Sequence, residues 1–299
     1  MKTWIRRTLI AASTLAGAGA ATVAAGHVLA HQKMQRTVAV SVAAVPIPSD
    51  TASVERGAYL YASRGCADCH GADGAGRTFI DNGGLHVAGP HISPGAGSVT
   101  AAYQPEDWVR TIRHGIKPDG RPALIMPSEE YNRLTDADLG ALVAYLRQMP
   151  ATGGGAAVIQ LPLPVRVLYA LGQVQDAAEK IDHSLPPPLP VPEGPTADHG
   201  RYVAGMCVGC HGAQLSGGNI PGGPPDWPAA ANLTPGSGGS MSRYPDAAAF
   251  ARMMKSGRRD DGSPIAVMPF EALSKMNDND LQGLYAYLTT LPARPAGSR

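Results

Sequence analysis

Aromatic side chains are scarce in this chain, at 5% of 299 residues, and charged ones reach only 16%. So few rings would starve an ordinary hydrophobic core, so something else must supply flat apolar surface. The formal net charge of +1 gives no basic field for nucleic acid and no acidic one for a basic partner. Only four cysteines are present, which excludes a disulfide-rich scaffold. No sustained alternation of apolar and polar residues marks a β-sheet. Glycine and proline, by contrast, are plentiful at 36 and 27 residues, so short helices joined by irregular loops are expected.

All four cysteines lie in two copies of one short pattern. These are Cys66-Ala67-Asp68-Cys69-His70 and Cys207-Val208-Gly209-Cys210-His211. Cys-x-x-Cys-His is the attachment pattern for c-type haem. Two thiols about one helical turn apart can each add to one haem vinyl group, and the adjoining histidine meets one face of the iron. A structural disulfide, a zinc half-site and a thioredoxin-like pair are the plainer readings. Zinc would need two Cys-x-x-Cys pairs close together, whereas Cys66 and Cys207 are 141 positions apart. Neither motif leaves a cysteine over. Two covalently bound haem c groups are therefore expected, attached through Cys66, Cys69, Cys207 and Cys210.

The duplication extends well beyond the motifs. His70 to Met126 is 56 positions and His211 to Met268 is 57, and each methionine precedes a proline. Gly120 and Gly262 each stand six residues before these methionines. Leu139–Leu146 overlays Leu281–Leu288, and Ile92-Ser93-Pro94-Gly95 overlays Leu233-Thr234-Pro235-Gly236. Each unit predicts a first helix running into the haem motif, from Ala52 to Arg64 or from Ala197 to Met206. A middle helix is expected from Pro105-Glu106-Asp107, and a last one from the capping stretches Thr135–Asp138 and Asn277–Asp280. The fold is expected to be all-α, with two tandem haem domains at 51–150 and 196–299.

Lys2, Arg6 and Arg7 precede an uncharged run from Thr8 to Ala30, about 34 Å as a helix and enough to cross a bilayer. Residues 1–31 read either as a signal peptide cleaved near Val28-Leu29-Ala30 or as a transmembrane anchor, and length favours the anchor. In both cases the positive N-terminus stays in the cytoplasm and the haem domains are exported. Residues 32–50 read as an extended tether. Residues 151–195 form the connector, with a helix expected through Val165–Ile181 and a polyproline-like stretch at Leu185–Pro192. Its expected role is a strap that packs the two domains together.

Met126 and Met268 are the candidate sixth ligands. They share an offset from the proximal histidine, a following proline and a loop position, while the other methionines read as packing, or as tether for Met34. His86, His91 and His114 are rivals in the first unit, but Trp227, Asn232 and Ser256 stand at the matching places in the second. His91 and Asn232 are candidates for hydrogen bonds to a haem propionate, and Tyr103 and Tyr244 for packing on that edge. The expected metal ligands are thus His70, Met126, His211 and Met268, with no catalytic residue.

With these residues assembled, the chain resembles class I c-type cytochromes. Within them it is similar to the multihaem cytochrome subunits of membrane-bound periplasmic dehydrogenases, through Arg56-Gly57-Ala58-Tyr59-Leu60, Asn232-Leu233-Thr234-Pro235 and Arg113–Arg121. That subunit type usually carries three haems, and this chain has motifs for two. The resemblance implies an electron-transfer protein, not an enzyme, relaying single electrons from a dehydrogenase or quinol-oxidising donor to a respiratory acceptor on the periplasmic side of the inner membrane. A dihaem peroxidase or thiosulfate dehydrogenase is the alternative. It would need a displaceable or absent sixth ligand, and the paired Met-Pro loops speak against that.

Overall fold

A computed structural model describes residues 3–224 and 226–298; Lys2 and the side chain of Arg6, part of the expected N-terminal charge cluster, lie outside what is described. The chain opens with helix α1 (Thr3–Gln35), which is long and apolar enough to cross a membrane. The first unit contains α2 (Thr51–Ser63), α3 (Cys66–His70), strands β1 (Thr78–Asn82) and β2 (Leu85–Ala88), α4 (Pro105–His114), α5 (Ser128–Tyr131) and α6 (Asp136–Gln148). The connector supplies β3 (Val158–Gln160), α7 (Leu163–Ala170) and α8 (Ala177–Lys180). The second unit repeats the helices as α9 (Ala197–Val203), a 3-10 turn at Ala204–Cys207, α10 (Val208–His211), α11 (Ala247–Ser256), α12 (Phe270–Leu273) and α13 (Asp278–Thr290).

Each unit is built on a crossing of its first and last helices, α2 on α6 and α9 on α13. A glycine makes each crossing possible. A Cβ at Gly57 would lie 2.0 Å from the Ala141 carbonyl oxygen, and one at Gly200 would lie 1.8 Å from that of Gly283. The last helices start where the caps predict, with Thr135 and Asn277 accepting hydrogen bonds from the amides of Asp138 and Asp280.

The all-α expectation needs correction. The chain is mostly helical, but β1, β2 and β3 form a three-stranded antiparallel sheet. The hairpin turn is Gly83-Gly84, both with positive φ (52° and 81°), as a two-residue type I′ turn requires. β3 comes from the connector and seals the hairpin edge. The connector helix also ends early, at Ala170 rather than Ile181, because Gly172 takes a left-handed φ of 74°. The tether is not free. Val45 is buried in the first unit's core, and the Pro46 carbonyl lies over Gly140, where a Cβ would approach to 2.2 Å.

The connector's helices lie on α1 and α5, and its Glu193 straps the units together by accepting from Arg56 of the first and Asn277 of the second. The units meet through a reciprocal interface with near two-fold symmetry. Arg56 donates to Asp138 in one unit, and His199 Nε2 meets Asp280 at the matching place in the other. Tyr59 then reaches across to Asp280, and Tyr202 to Asp138. Each tyrosine oxygen accepts a backbone N–H from the partner unit's cap residue, Asn277 or Thr135. Arg64 breaks the symmetry by adding a 2.6 Å ion pair to Asp280 inside this buried cluster.

Candidate haem sites

The five residues of α3 form a single helical turn between two glycines of positive φ, Gly65 and Gly71. That turn puts Cys66 and Cys69 three apart on one face and leaves His70 at its end. Burial pushes the Cys66 thiol up to about 12 and the Cys69 thiol up to about 11. Cys207 is likewise raised to about 12, burial again being the main cause. A thioredoxin-like pair would show depressed values, and no cysteine here is in a disulfide. Among the described residues no three His, Cys, Asp or Glu side chains gather as a metal cluster, so the zinc reading has no donor set.

The histidine of each motif is oriented in the same way. His70 Nδ1 lies 2.9 Å from the Pro90 carbonyl oxygen, and His211 Nδ1 lies 2.7 Å from that of Ala231. A carbonyl oxygen only accepts, so Nδ1 carries the proton and donates in both units, which makes Nε2 the unprotonated nitrogen. Burial holds the His70 imidazole below its ordinary pKa, outweighing the opposing bond to Pro90, and so keeps it neutral. Pro90 and Ala231 are each 20 residues beyond their histidine, so the repeat extends to this positioning bond.

A cavity of about 710 Å³ opens beside α3, lined by Cys66, Cys69, His70 and Met126. The rest of its wall is mainly apolar, with Tyr61, Trp108, Ile112 and Leu146 among the lining residues. The volume suits a large flat cofactor, and the two thiols, the free imidazole nitrogen and the thioether fit haem c. In the second unit Cys207 and Met268 pack against one core with Tyr244, Phe250 and Tyr285, and His211 is 5% exposed. The four expected residues of the first site therefore line one cavity. In the second, two of the four share one hydrophobic cluster.

The rival histidines lie outside the lining of that cavity. His86 faces Asp81 in the hairpin, His91 Nε2 meets Ser93 Oγ at 3.0 Å, and His114 meets His183. Asn232, a candidate for a propionate bond, also has partners within the protein. Its carboxamide oxygen accepts from Thr234 N and Oγ1, and its Nδ2 donates to the Arg294 carbonyl, so it ties the loop to the C-terminal segment. Tyr103 does line the cavity, edge-on to Trp108. Sequence reasoning missed Phe79, Val87 and Ile159 of the sheet, and Met34 at the end of α1, all of which line the same cavity. The Gly-Gly hairpin turn was the signal for the first two.

Comparison with known proteins decides the family. Residues 52–146 match the family model for subunit III of cbb3-type cytochrome c oxidase, and residues 197–292 match the model for cytochrome c. Both units are cytochrome c domains. The chain is thus a c-type cytochrome with haem c expected at each cysteine pair, and the relatives it matches are named as cytochrome subunits of dehydrogenases. It is 28% identical over 281 residues to the fructose dehydrogenase cytochrome subunit of Gluconobacter japonicus. It is also 28% identical over 285 residues to the cytochrome c subunit of the quinone alcohol dehydrogenase of Gluconobacter oxydans. The gluconate 2-dehydrogenase cytochrome c subunit of Pantoea cypripedii is 26% identical over 287 residues. Each alignment covers 83% of this cytochrome but only 54%, 57% and 62% of the respective relative's own length.

Proposed function

We propose that this cytochrome is an exported dihaem electron carrier in which His70 and Met126 ligate one iron and His211 and Met268 the other. The observation that carries the reading is the pair of Nδ1–carbonyl bonds, which leave each imidazole Nε2 unprotonated as an iron ligand would need to be, with Met126 lining the same cavity as His70. When bound, haem iron held by nitrogen and thioether sulfur cycles between two oxidation states one electron at a time, and methionine ligation raises its potential. His70 with Met126, and His211 with Met268, would supply the donors, and the apolar wall of the first unit's cavity would keep water away. With both donors bound, no coordination position would remain for a peroxide or thiosulfate reaction.

Electrons pass between the haems in series. The support is the interface, where α5, just after Met126-Pro127, lies against α10 of the second haem motif, and α12, just after Met268-Pro269, lies against α3 of the first. The donor is a periplasmic dehydrogenase or quinol-oxidising enzyme, as the names of the relatives suggest, and the acceptor is a respiratory component. Helix α1 is an uncleaved anchor that holds the units on the periplasmic side of the inner membrane. Its buried Gly26 and Ala30 seat α7, and cleavage after Ala30 would remove that seat.

Substitution of the methionines tests the ligation. Met126→Ala and Met268→Ala should each abolish the near-infrared methionine–iron band of one haem and lower one midpoint potential by roughly 100 mV or more. Unchanged low-spin spectra and potentials in both variants would refute the assignment, and turnover of peroxide or thiosulfate by the native protein would favour an enzyme.

A further inference from the structure

Helix α7 of the connector packs along α1, and its apolar residues are divided between two surroundings. Val167 turns inward against Gly26, where a Cβ would lie 2.9 Å from Val167 Cγ2, and Tyr169 is buried with its hydroxyl accepting from Arg36. Leu168 and Leu171, three residues apart on another face, are 42% and 66% exposed. Val28 and Leu29 of α1 are exposed nearby in the chain, at 52% and 53%. Single exposed leucines are ordinary, but these stand on a helix fixed to a membrane-spanning candidate at a definite height.

That height identifies the occupant. The uncharged stretch of α1 begins at Thr8, and Gly26 lies about 27 Å further along the axis, close to the full thickness of the hydrocarbon layer. The contact between Gly26 and Val167 therefore falls at the outer boundary of the bilayer. Above it the chain becomes charged and bonded to the same connector. Lys33 donates to the Tyr169 carbonyl, and Arg36 makes a two-pronged pair with Asp176. Arg166 sits beside His27 at the boundary itself, where a cation meets lipid phosphate.

We propose that α7 lies in the outer surface of the phospholipid bilayer, with Leu168 and Leu171 in the zone between headgroups and acyl chains. The inference rests on α1 being an uncleaved anchor and adds a second membrane contact to it. Met34 and Gln35, at the end of α1, border the first unit's cavity, and β3 and α8 also pack on that unit. The first haem unit is thereby the one nearer the membrane, and the second faces the periplasm.

The test uses the full-length holoprotein in vesicles of phosphatidylethanolamine and phosphatidylglycerol, with photo-leucine, which preserves the leucine shape, placed singly at Leu171, at Leu15 within α1, or at Leu189 in the exposed polyproline stretch. After irradiation, mass spectrometry should find phospholipid adducts at 171 and 15 at least tenfold above those at 189. Adducts at 15 with none at 171, or adducts from 171 to protein alone, overturn the proposal and leave the anchor standing. No lipid adduct at either position overturns the anchor reading and the proposal with it.

Discussion

Replacing Asp280 by alanine should destabilise the two-unit assembly by about 3–5 kcal/mol, because it strands a buried charge. Asp280 is fully buried and accepts from Tyr59 of the other unit, from Arg64 Nη2 at 2.6 Å, and from His199 Nε2 at 2.8 Å. Arg64 is itself 7% exposed, and its other side-chain partners are the Ser63 hydroxyl and Tyr59, both neutral. A guanidinium in that position has no water to turn to when the carboxylate goes. On unfolding stabilities of about 5–15 kcal/mol per domain, that loss is a large fraction. Asp138→Ala at the matching site is the internal control. It removes the same kind of tyrosine bond, but its arginine, Arg56, is 22% exposed and also pairs with Glu193, so about 1–2 kcal/mol is expected. Urea titration followed by haem absorbance and by circular dichroism measures both. The double variant Arg64→Met/Asp280→Leu should recover most of the loss, since it removes both charges. If Asp280→Ala costs under about 1 kcal/mol, or no more than Asp138→Ala, the interface is not held as described.

The acid limb gives a second check on the same residue. Burial alone would raise the Asp280 carboxyl, but the Arg64 charge and the bonds from Tyr59, Arg64 and His199 outweigh it and hold the group below its ordinary value. Its stabilising contribution is therefore present above the unfolded pKa of about 3.9 and is lost as pH falls through the lower folded value, a loss that the Asp280→Ala variant should not show. Glu130 runs the other way. Burial, reinforced by Glu129 and opposed by Lys180, raises it to about 7 from 4.5, so the folded state keeps a proton that the unfolded chain has released. Stability should fall by about 2 kcal/mol between pH 4.5 and 7, and Glu130→Gln should flatten that slope in the same urea titrations. Gly57→Ala and Gly200→Ala should each cost about 3 kcal/mol or more and lower the yield of haem-loaded protein, because the added carbon meets a backbone carbonyl that cannot yield; thermal melts and haem-to-protein ratios measure this.

Much of the site was readable in one dimension because its chemistry is local or repeated. The two haem motifs are five residues each, and duplication singled out Met126 and Met268 among ten methionines. The helix starts at Pro105, Thr135 and Asn277 followed from capping residues. The hairpin was missed although Gly83-Gly84 announced it, because Thr78-Phe79-Ile80-Asp81-Asn82 carries no alternation and β3 lies 70 residues beyond β2 in the chain. The loop-tying role of Asn232 was missed for a related reason. Its amide is used by Arg294, 62 residues away, and no pattern in sequence records that pairing.

The sequence alone determined the cofactor class, the number of haems, the two-unit repeat and the apolar N-terminal helix, since each rests on residues close together or on one unit copied from another. Only the tertiary structure decided how the units meet. Tyr59 with Asp280, and Tyr202 with Asp138, are ordinary residues until the folded chain buries them face to face. There each unpaired polar group would carry the full cost of leaving water, and that cost fixes one arrangement of the two haem domains.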